Sequence, residues 1–580
     1  MSAAKKAKLE KEVACAAPAL WFRSQPASLS PPLLTPAVHA HRRRQASIRF
    51  SHIHIYQDTI RPLAEYKELE ASSTKFSKEL VAQGAAHPKE TGLGMDIEKG
   101  CAIWAAQTGG TADPTAYKSQ KQDVAEQLIL GAGWRITGHR DGAETRTVCL
   151  SSSEKDGVNM VVTCAHATPG APAEDHVHFR AAAIERFHGC HRSRQGISVL
   201  CFEVEEGDCE LILGRYSAKH PKLVVPGTMP YTYADGFKVI EVYAYYKGEC
   251  VVSDADEGTI LRFIERPTQA AKASVLAGLN GVEAEWCESS LDFPAFCDHW
   301  VSNVISRQGF LQTLNDGLGF TPQVEFNAGV VAAGEARIES TVCGNKSAFN
   351  TGDKAAALKD QSQVYLPINN ALSEVGHVHW FIEEVGQGVQ HVASRVGDLV
   401  SFIQHVNDLR KMTGHGFCFL NIPRSYYGSL SAKDLVENAG VNEAEATAVI
   451  DALLAVKLVD NTGILKMDTT HAEVASACAD AAGFASHQAE VTKVVLKSRY
   501  SNLYKLLRDH VSEGTYLRIV RNQILVDGGH FYIGRRALLH MARHVSGRHP
   551  GRRPALPDLH RQHPAGARSR FTYDLGEVYL

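Results

Sequence analysis

Two histidines have the type and setting to do chemistry. His391 lies in Val-Gln-His-Val-Ala-Ser-Arg-Val, an alternating run entered through Gly386-Gln387-Gly388 and left through Gly397-Asp398. His299 lies in Cys-Asp-His-Trp-Val-Ser-Asn, a second strand-like run. A polar ring on the inward face of a strand needs a partner, because an unpaired buried donor or acceptor costs ~1–3 kcal/mol. A backbone carbonyl would satisfy a single core histidine. Two histidines on equivalent strands, turned into one cavity, suit a metal instead. Two imidazoles and a carboxylate hold Fe(II) on one face and leave positions open.

The equivalence of the two strands comes from an internal repeat. Residues 48–55 alternate as a strand, 120–132 follow a helical period, and 134–140, 145–151 and 158–164 read as three strands. The stretch up to about Tyr117 carries few apolar residues and reads as an insertion with loops. A second set opens with strand 197–204, continues with 238–244 and 259–265, and gives way to a linker from Pro267. The pattern then returns as strand 296–304, helix 305–318 and strands 323–327, 336–343 and 364–368. Strand 389–396, helix 398–412 and strand 416–420 open the fourth set. Four strand-helix-strand-strand-strand modules in two pairs predict an α+β fold in which each pair curves around a cavity as an open barrel.

One half then serves as a control for the other. Anchored on Gly196 and Gly388, the alignment puts Val199 opposite His391; a one-residue slip puts Ser198 or Leu200 there. Aligning Arg-Phe-Ser-His-Ile-His-Ile with Phe-Cys-Asp-His-Trp-Val-Ser puts His52 opposite His299. The first half has at most one of the pair, and the second half has both. His52, lacking a partner, is expected to be structural, as is the group His188-Gly189-Cys190-His191 in a turn.

At these residues the sequence resembles the 4-hydroxyphenylpyruvate dioxygenase family of the vicinal oxygen chelate superfamily, over roughly residues 48–527. Cys-Asp-His-Trp-Val-Ser-Asn is similar to the family's strand with the first iron ligand. Gln-Val-Tyr-Leu-Pro-Ile-Asn-Asn-Ala is similar to its Pro-x-Asn-Glu strand, with Asn370 where the family has Glu. Gly-Gln-Gly-Val-Gln-His-Val-Ala resembles the strand with the second ligand, and Asn-Ile-Pro-Arg-Ser-Tyr-Tyr-Gly-Ser-Leu a Pro-x-x-Tyr-Tyr loop. Arg-Gln-Gly-Ile-Ser-Val-Leu-Cys-Phe-Glu-Val-Glu-Glu resembles the non-metal copy.

The resemblance implies a two-domain vicinal oxygen chelate fold: a non-metal domain over 46–267 and an iron-binding catalytic domain over 290–527. It implies Fe(II) on His299 and His391, with Asn369 and Ser340 in the substrate pocket; Gln390, next to His391 in an alternating strand, is expected to point away from the iron face. The implied substrates are a small 2-oxo acid, which chelates iron through its keto oxygen and carboxylate, and O2. The implied reaction takes 4-hydroxyphenylpyruvate to homogentisate and CO2, a step of tyrosine catabolism. A 4-hydroxymandelate synthase, sharing fold, metal and substrate, is the alternative enzyme. An impaired paralogue lacking the third iron ligand is the alternative of another class.

The third ligand is where the sequence departs. The family carries Glu in a Phe-x-Glu-x-Ile-Gln-Arg strand. Residues 463–470 and 515–521 both read as strand-like, but neither carries the Glu. Residues 528–570 turn rich in Arg, His, Pro and Gly, without Lys. A shifted reading frame over 553–564 can be written that contains Gln-Ile-Phe-Thr, similar to the family's final strand, so the atypical tail 528–580 is expected to arise from a frame change near Asp527. Glu577 stands beyond it as the candidate third ligand.

Composition agrees with a globular protein of more than one domain. The chain has 580 residues, 44% apolar and 22% charged, with a formal net charge of -3 that argues against nucleic acid as a partner. No apolar run approaches the ~20 residues that cross a bilayer, so no membrane partner is expected. Thirteen scattered cysteines without a Cys-x-x-Cys pair fit a reducing, cytoplasmic setting. Residues 1–45 read as a disordered leader or, given Arg42-Arg43-Arg44 and the serines, an organellar transit peptide. A homo-oligomer is compatible with this composition. The helical stretch 445–504 reads as ordinary packing or a partner surface.

Overall fold

The computed structural model of the chain describes residues 46–524, except 87–93, 110–122, 155, 174–175, 193–194, 249–252, 269–274, 287–293, 334–335, 346–353, 417–427, 467–468 and 501–511. The leader 1–45, residues 417–420 of the expected strand 416–420, the Tyr-Tyr part of the loop expected after it, the tail 528–580 and Glu577 therefore lie outside the described residues.

The strands are β1 (Ile48–Tyr56), β2 (Arg135–Asp141), β3 (Thr145–Ser151), β4 (Asn159–Ala165), β5 (Gly196–Val204), β6 (Tyr231–Thr232), β7 (Lys238–Tyr246), β8 (Ala255–Glu265), β9 (Asn280–Gly281), β10 (Ala295–Asn303), β11 (Thr321–Ala333), β12 (Ala336–Gly344), β13 (Tyr365–Ala371) and β14 (Gly388–Val396). They form a nine-stranded sheet ordered β6-β7-β8-β5-β1-β4-β3-β2-β9 and a five-stranded sheet ordered β11-β12-β13-β10-β14.

The repeat is visible in these orders. β1-β4-β3-β2, β5-β8-β7-β6 and β10-β13-β12-β11 are the same module. In each, a helix carries the chain from the first strand to the far edge. A meander then returns until the last strand lies parallel to the first. First strands of paired modules meet antiparallel, β1 on β5 and β10 on β14. This is the mixed, paired-module fold expected from the sequence, built as two open sheets.

Local chemistry sets the elements that hold the histidines. Ser306 caps the helix Arg307–Leu318 by accepting from Gly309 N, and Gly319 ends it at φ 75°. Phe310, Leu311, Leu314 and Leu318 bury its inner stripe. Asp398 caps the helix Leu399–Thr413 directly after β14.

Where the two sheets meet, Trp300 of β10 packs on Phe50 and Phe202, with ring centroids 4.9 and 5.5 Å apart. Ser302 Oγ bonds the Tyr245 hydroxyl at 2.8 Å. Gln387 is buried just before β14; its Nε2 donates to Tyr246 O at 2.8 Å and its Oε1 accepts from Ile305 N at 2.8 Å.

Three stretches differ from the sequence reading. The stretch expected as loops contains the helices Leu63–Ala82 and Ile97–Thr108. The buried stripe of the first is Tyr66, Glu70, Ser73, Phe76 and Leu80, so two polar members hide its period. Glu70 is held inside by Lys67 Nζ at 2.8 Å and by the backbone N–H of Ile136. Residues 515–521 are helical, within Glu513–Arg521, rather than a strand; Ser512 caps the helix and Tyr516, Ile519 and Val520 share its buried face. The described residues of 463–470 contribute a single bridge, Val459 to Leu465, before the helix His471–Ala477 begins. The helices Ala432–Ala439, Glu443–Ala455, His471–Ala477 and Phe484–Lys497 gather around a core of their own, including Leu435, Val449, Leu453 and Val491. No helix among the described residues is long and apolar enough to cross a membrane.

Candidate metal centre

β10 and β14 place His299 and His391 together. His299 pairs with Ala393 and Val301 with His391, so the two histidines are diagonal neighbours on one face of the sheet. Their ring centroids lie 5.6 Å apart at an interplanar angle of 74°. His391 is 8% exposed, and the side chain of His299 is 18% exposed.

Each ring is anchored through Nδ1 by the residue before it. His299 Nδ1 lies 2.8 Å from Asp298 Oδ2, and His391 Nδ1 lies 3.0 Å from Gln390 Oε1. Both partners are acceptors, so each Nδ1 carries the proton, and in the neutral ring Nε2 carries the lone pair. The strand irregularities explain how neighbours that should alternate can touch. The ladder skips a residue of β10 between Cys297 and His299, and a residue of β14 between His391 and Val389. Asp298 and Gln390 are those extra residues. A bulge re-aims a side chain in this way.

The sequence reading put Gln390 away from the iron face and gave Asp298 no role. Both hold the rings, and the Asp298 carboxylate is backed by Arg395 Nε at 3.7 Å from Oδ1. Regular alternation gives no hint of a bulge, so only the juxtaposed Asp-His and Gln-His pairs could have signalled the contacts.

The residues expected in the substrate pocket share this sheet face. Asn303 pairs with Asn369, and Asn369 with Ser340, in one row across β10, β13 and β12. Asn369 Nδ2 donates to Asn303 Oδ1 at 3.3 Å. Asn369 and Ser340 are 8% and 7% exposed. The row lies two residues beyond the Val301–His391 pair, roughly 7 Å along the strand direction. A separate small cavity is lined by Tyr245, Tyr246, Phe310, Thr313 and Gln387 and by neither histidine.

Two imidazoles with fixed rings fit two of the three protein ligands of a facial Fe(II) site. Among the described residues no carboxylate joins them at ligating distance.

The described residues do contain a group of three that could hold a metal, in the first half. His52, His54 and Cys201 offer ligand atoms all within 4.8 Å of one another, and all three are buried. His52 is thus not alone, contrary to the expectation from sequence. The repeat carries the same two irregularities: β1 shifts register between Phe50 and Ile53, and β5 between Val199 and Ile197. Ser51 Oγ lies 3.0 Å from His52 Nδ1, the contact that Asp298 makes with His299. His54 pairs with Val199 where Val301 pairs with His391, so the histidine of that row has changed strands between the halves. The group 188–191, expected in a turn, is the last turn and C-cap of the helix Ala181–Cys190.

No family model matches the chain. No curated protein matches it either. Among solved structures, a triple mutant of 4-hydroxymandelate synthase from Streptomyces coelicolor is similar at 16% identity, over 58% of this chain and 78% of that one, with a TM-score of 0.34. A xylose isomerase-like TIM barrel/4-hydroxyphenylpyruvate dioxygenase fusion protein is similar at 12% identity, over 79% of this chain and 50% of that one, with a TM-score of 0.31.

Proposed function

We propose that the chain is an Fe(II)-dependent dioxygenase that converts 4-hydroxyphenylpyruvate and O2 to homogentisate and CO2. The observation that supports it is the diagonal pair His299 and His391, each ring held through Nδ1 at a strand bulge. In this reading His299 and His391 hold Fe(II) through Nε2, and Glu577 supplies the carboxylate. Bound iron would polarise the 2-oxo acid and activate O2. Asp298 and Gln390 keep the rings in the ligating tautomer. Asn303 takes one amide proton of Asn369, which leaves Asn369 Oδ1 to accept from a phenol. Ser340 beside it can donate or accept. The burial of His391, Asn369 and Ser340 keeps bulk water from that face.

Anaerobic Fe(II) titration followed by product analysis tests this. The full chain should bind iron stoichiometrically and form homogentisate, and His299→Ala and His391→Ala should abolish both. Formation of 4-hydroxymandelate would move the reading to the synthase that shares the substrate. Absence of iron binding in the unaltered chain would overturn the enzyme reading and leave a ligand-binding paralogue.

A further inference from the structure

The first half presents His52 as the second half presents His299. Its Nδ1 faces Ser51 Oγ at 3.0 Å, its side chain is fully buried, and its Nε2 has no hydrogen-bond partner. With His54 and Cys201 alongside, this is the donor set of a site for a soft divalent ion. One neighbour changes the outcome. Arg262 of β8 pairs across the sheet with Cys201 on one side and Glu241 on the other. Its Nη1 lies 2.6 Å from His54 Nδ1 and 4.0 Å from Cys201 Sγ, and its Nε donates to Glu241 Oε1 at 2.7 Å.

We propose that the Arg262 guanidinium is a resident cation in the metal position of the first half, neutralised by Glu241, and that it keeps His52, His54 and Cys201 free of metal. The guanidinium takes the His54 lone pair that a metal would need, and His54 Nε2 then donates to Thr163 Oγ1 at 2.8 Å. A dication would have to enter beside a fixed positive charge at a site buried from solvent. Burial works against the Arg262 charge, but Glu241 together with Cys201 and Tyr56 holds its pKa above the ordinary value. Burial pushes the Cys201 thiol up to about 12, so it is a thiol beside the guanidinium rather than a thiolate ligand. The two halves thus solve one problem differently: a covalent cation in the first, an exchangeable one in the second.

Cobalt(II) reports on this directly, because a thiolate ligand gives a charge-transfer band that two imidazoles and a carboxylate do not. The unaltered full chain should bind cobalt without that band. Arg262→Met combined with Glu241→Gln, which removes both buried charges together, should bind an additional equivalent with the band, and Cys201→Ser added to that pair should abolish it. A Cys201-dependent band in the unaltered chain would overturn the proposal. So would a folded Arg262→Met/Glu241→Gln chain that gains no cobalt. Should that double variant fail to fold, Cys201→Ser alone still decides: metal content equal to the unaltered chain is expected, and the loss of one equivalent would overturn the proposal.

Discussion

In the proposed centre, Asp298 and Gln390 would act on the metal only through the rings they hold. Partners of this kind contribute a factor of ~10–100 in metal affinity. Asp298→Ala should therefore weaken Fe(II) binding by roughly that factor, measured by competition with a chelator, and Asp298→Asn should recover most of the loss because its amide oxygen still accepts from Nδ1. Equal affinity in all three chains would sever Asp298 from the centre. Sequence alone singles out His299 and His391 as candidates, since the repeat supplies a control strand without a histidine at one of them, and the structure makes them neighbours. It misses Asp298, Gln390 and the His54–Cys201 surroundings of His52. In a regular strand residues 298 and 299 point to opposite faces, and the bulges that bring them together leave no mark on the hydrophobic pattern.

At the scale of elements, the entry to β14 depends on Gly386. Its φ is 99°, and a Cβ there would lie 2.9 Å from the backbone oxygen of Cys190. Gly386→Ala should cost ~1–3 kcal/mol, seen as a lower urea midpoint with an unchanged slope. It should also weaken iron binding, because β14 begins two residues later. A midpoint equal to the parent's would mean that this turn adapts freely. The strands were legible because alternation is a strong local signal, as in β3, where the predicted and observed ends coincide. The helices Leu63–Ala82 and Glu513–Arg521 were not. In the first, buried Glu70 and Ser73 break the apolar stripe. In the second, a run rich in β-branched residues is overruled by the Ser512 cap and by burial at Tyr516, Ile519 and Val520.

For the whole molecule, buried histidines set an acid limit. Burial, reinforced by the Arg262 charge, holds His52, His54 and His178 well below their ordinary value. Burial holds His415 at about 4. The unfolded chain takes up these protons near pH 6.5, while the folded chain refuses them until lower pH. Stability from these groups is complete above about pH 6.5 and is lost as pH falls toward the folded values, by ~1.4 kcal/mol per histidine per unit. The urea midpoint should drop between pH 6.5 and 4, and His415→Gln should make that drop shallower. A midpoint indifferent to pH would show that the folded chain accepts these protons.

β10 carries two loyalties on alternate residues. His299 looks toward the candidate metal, while Trp300 and Ser302 grip Phe50, Phe202 and Tyr245 of the other sheet. An ion that binds only when β10 is in place draws the folded population toward itself by mass action, ~2.7 kcal/mol at a hundredfold excess over Kd. Because Trp300 cannot leave its aromatic nest without taking His299 along, that gain is felt on both sides of the strand. The first half, which on our proposal takes no ion, would then owe part of its lifetime in the cell to iron supply.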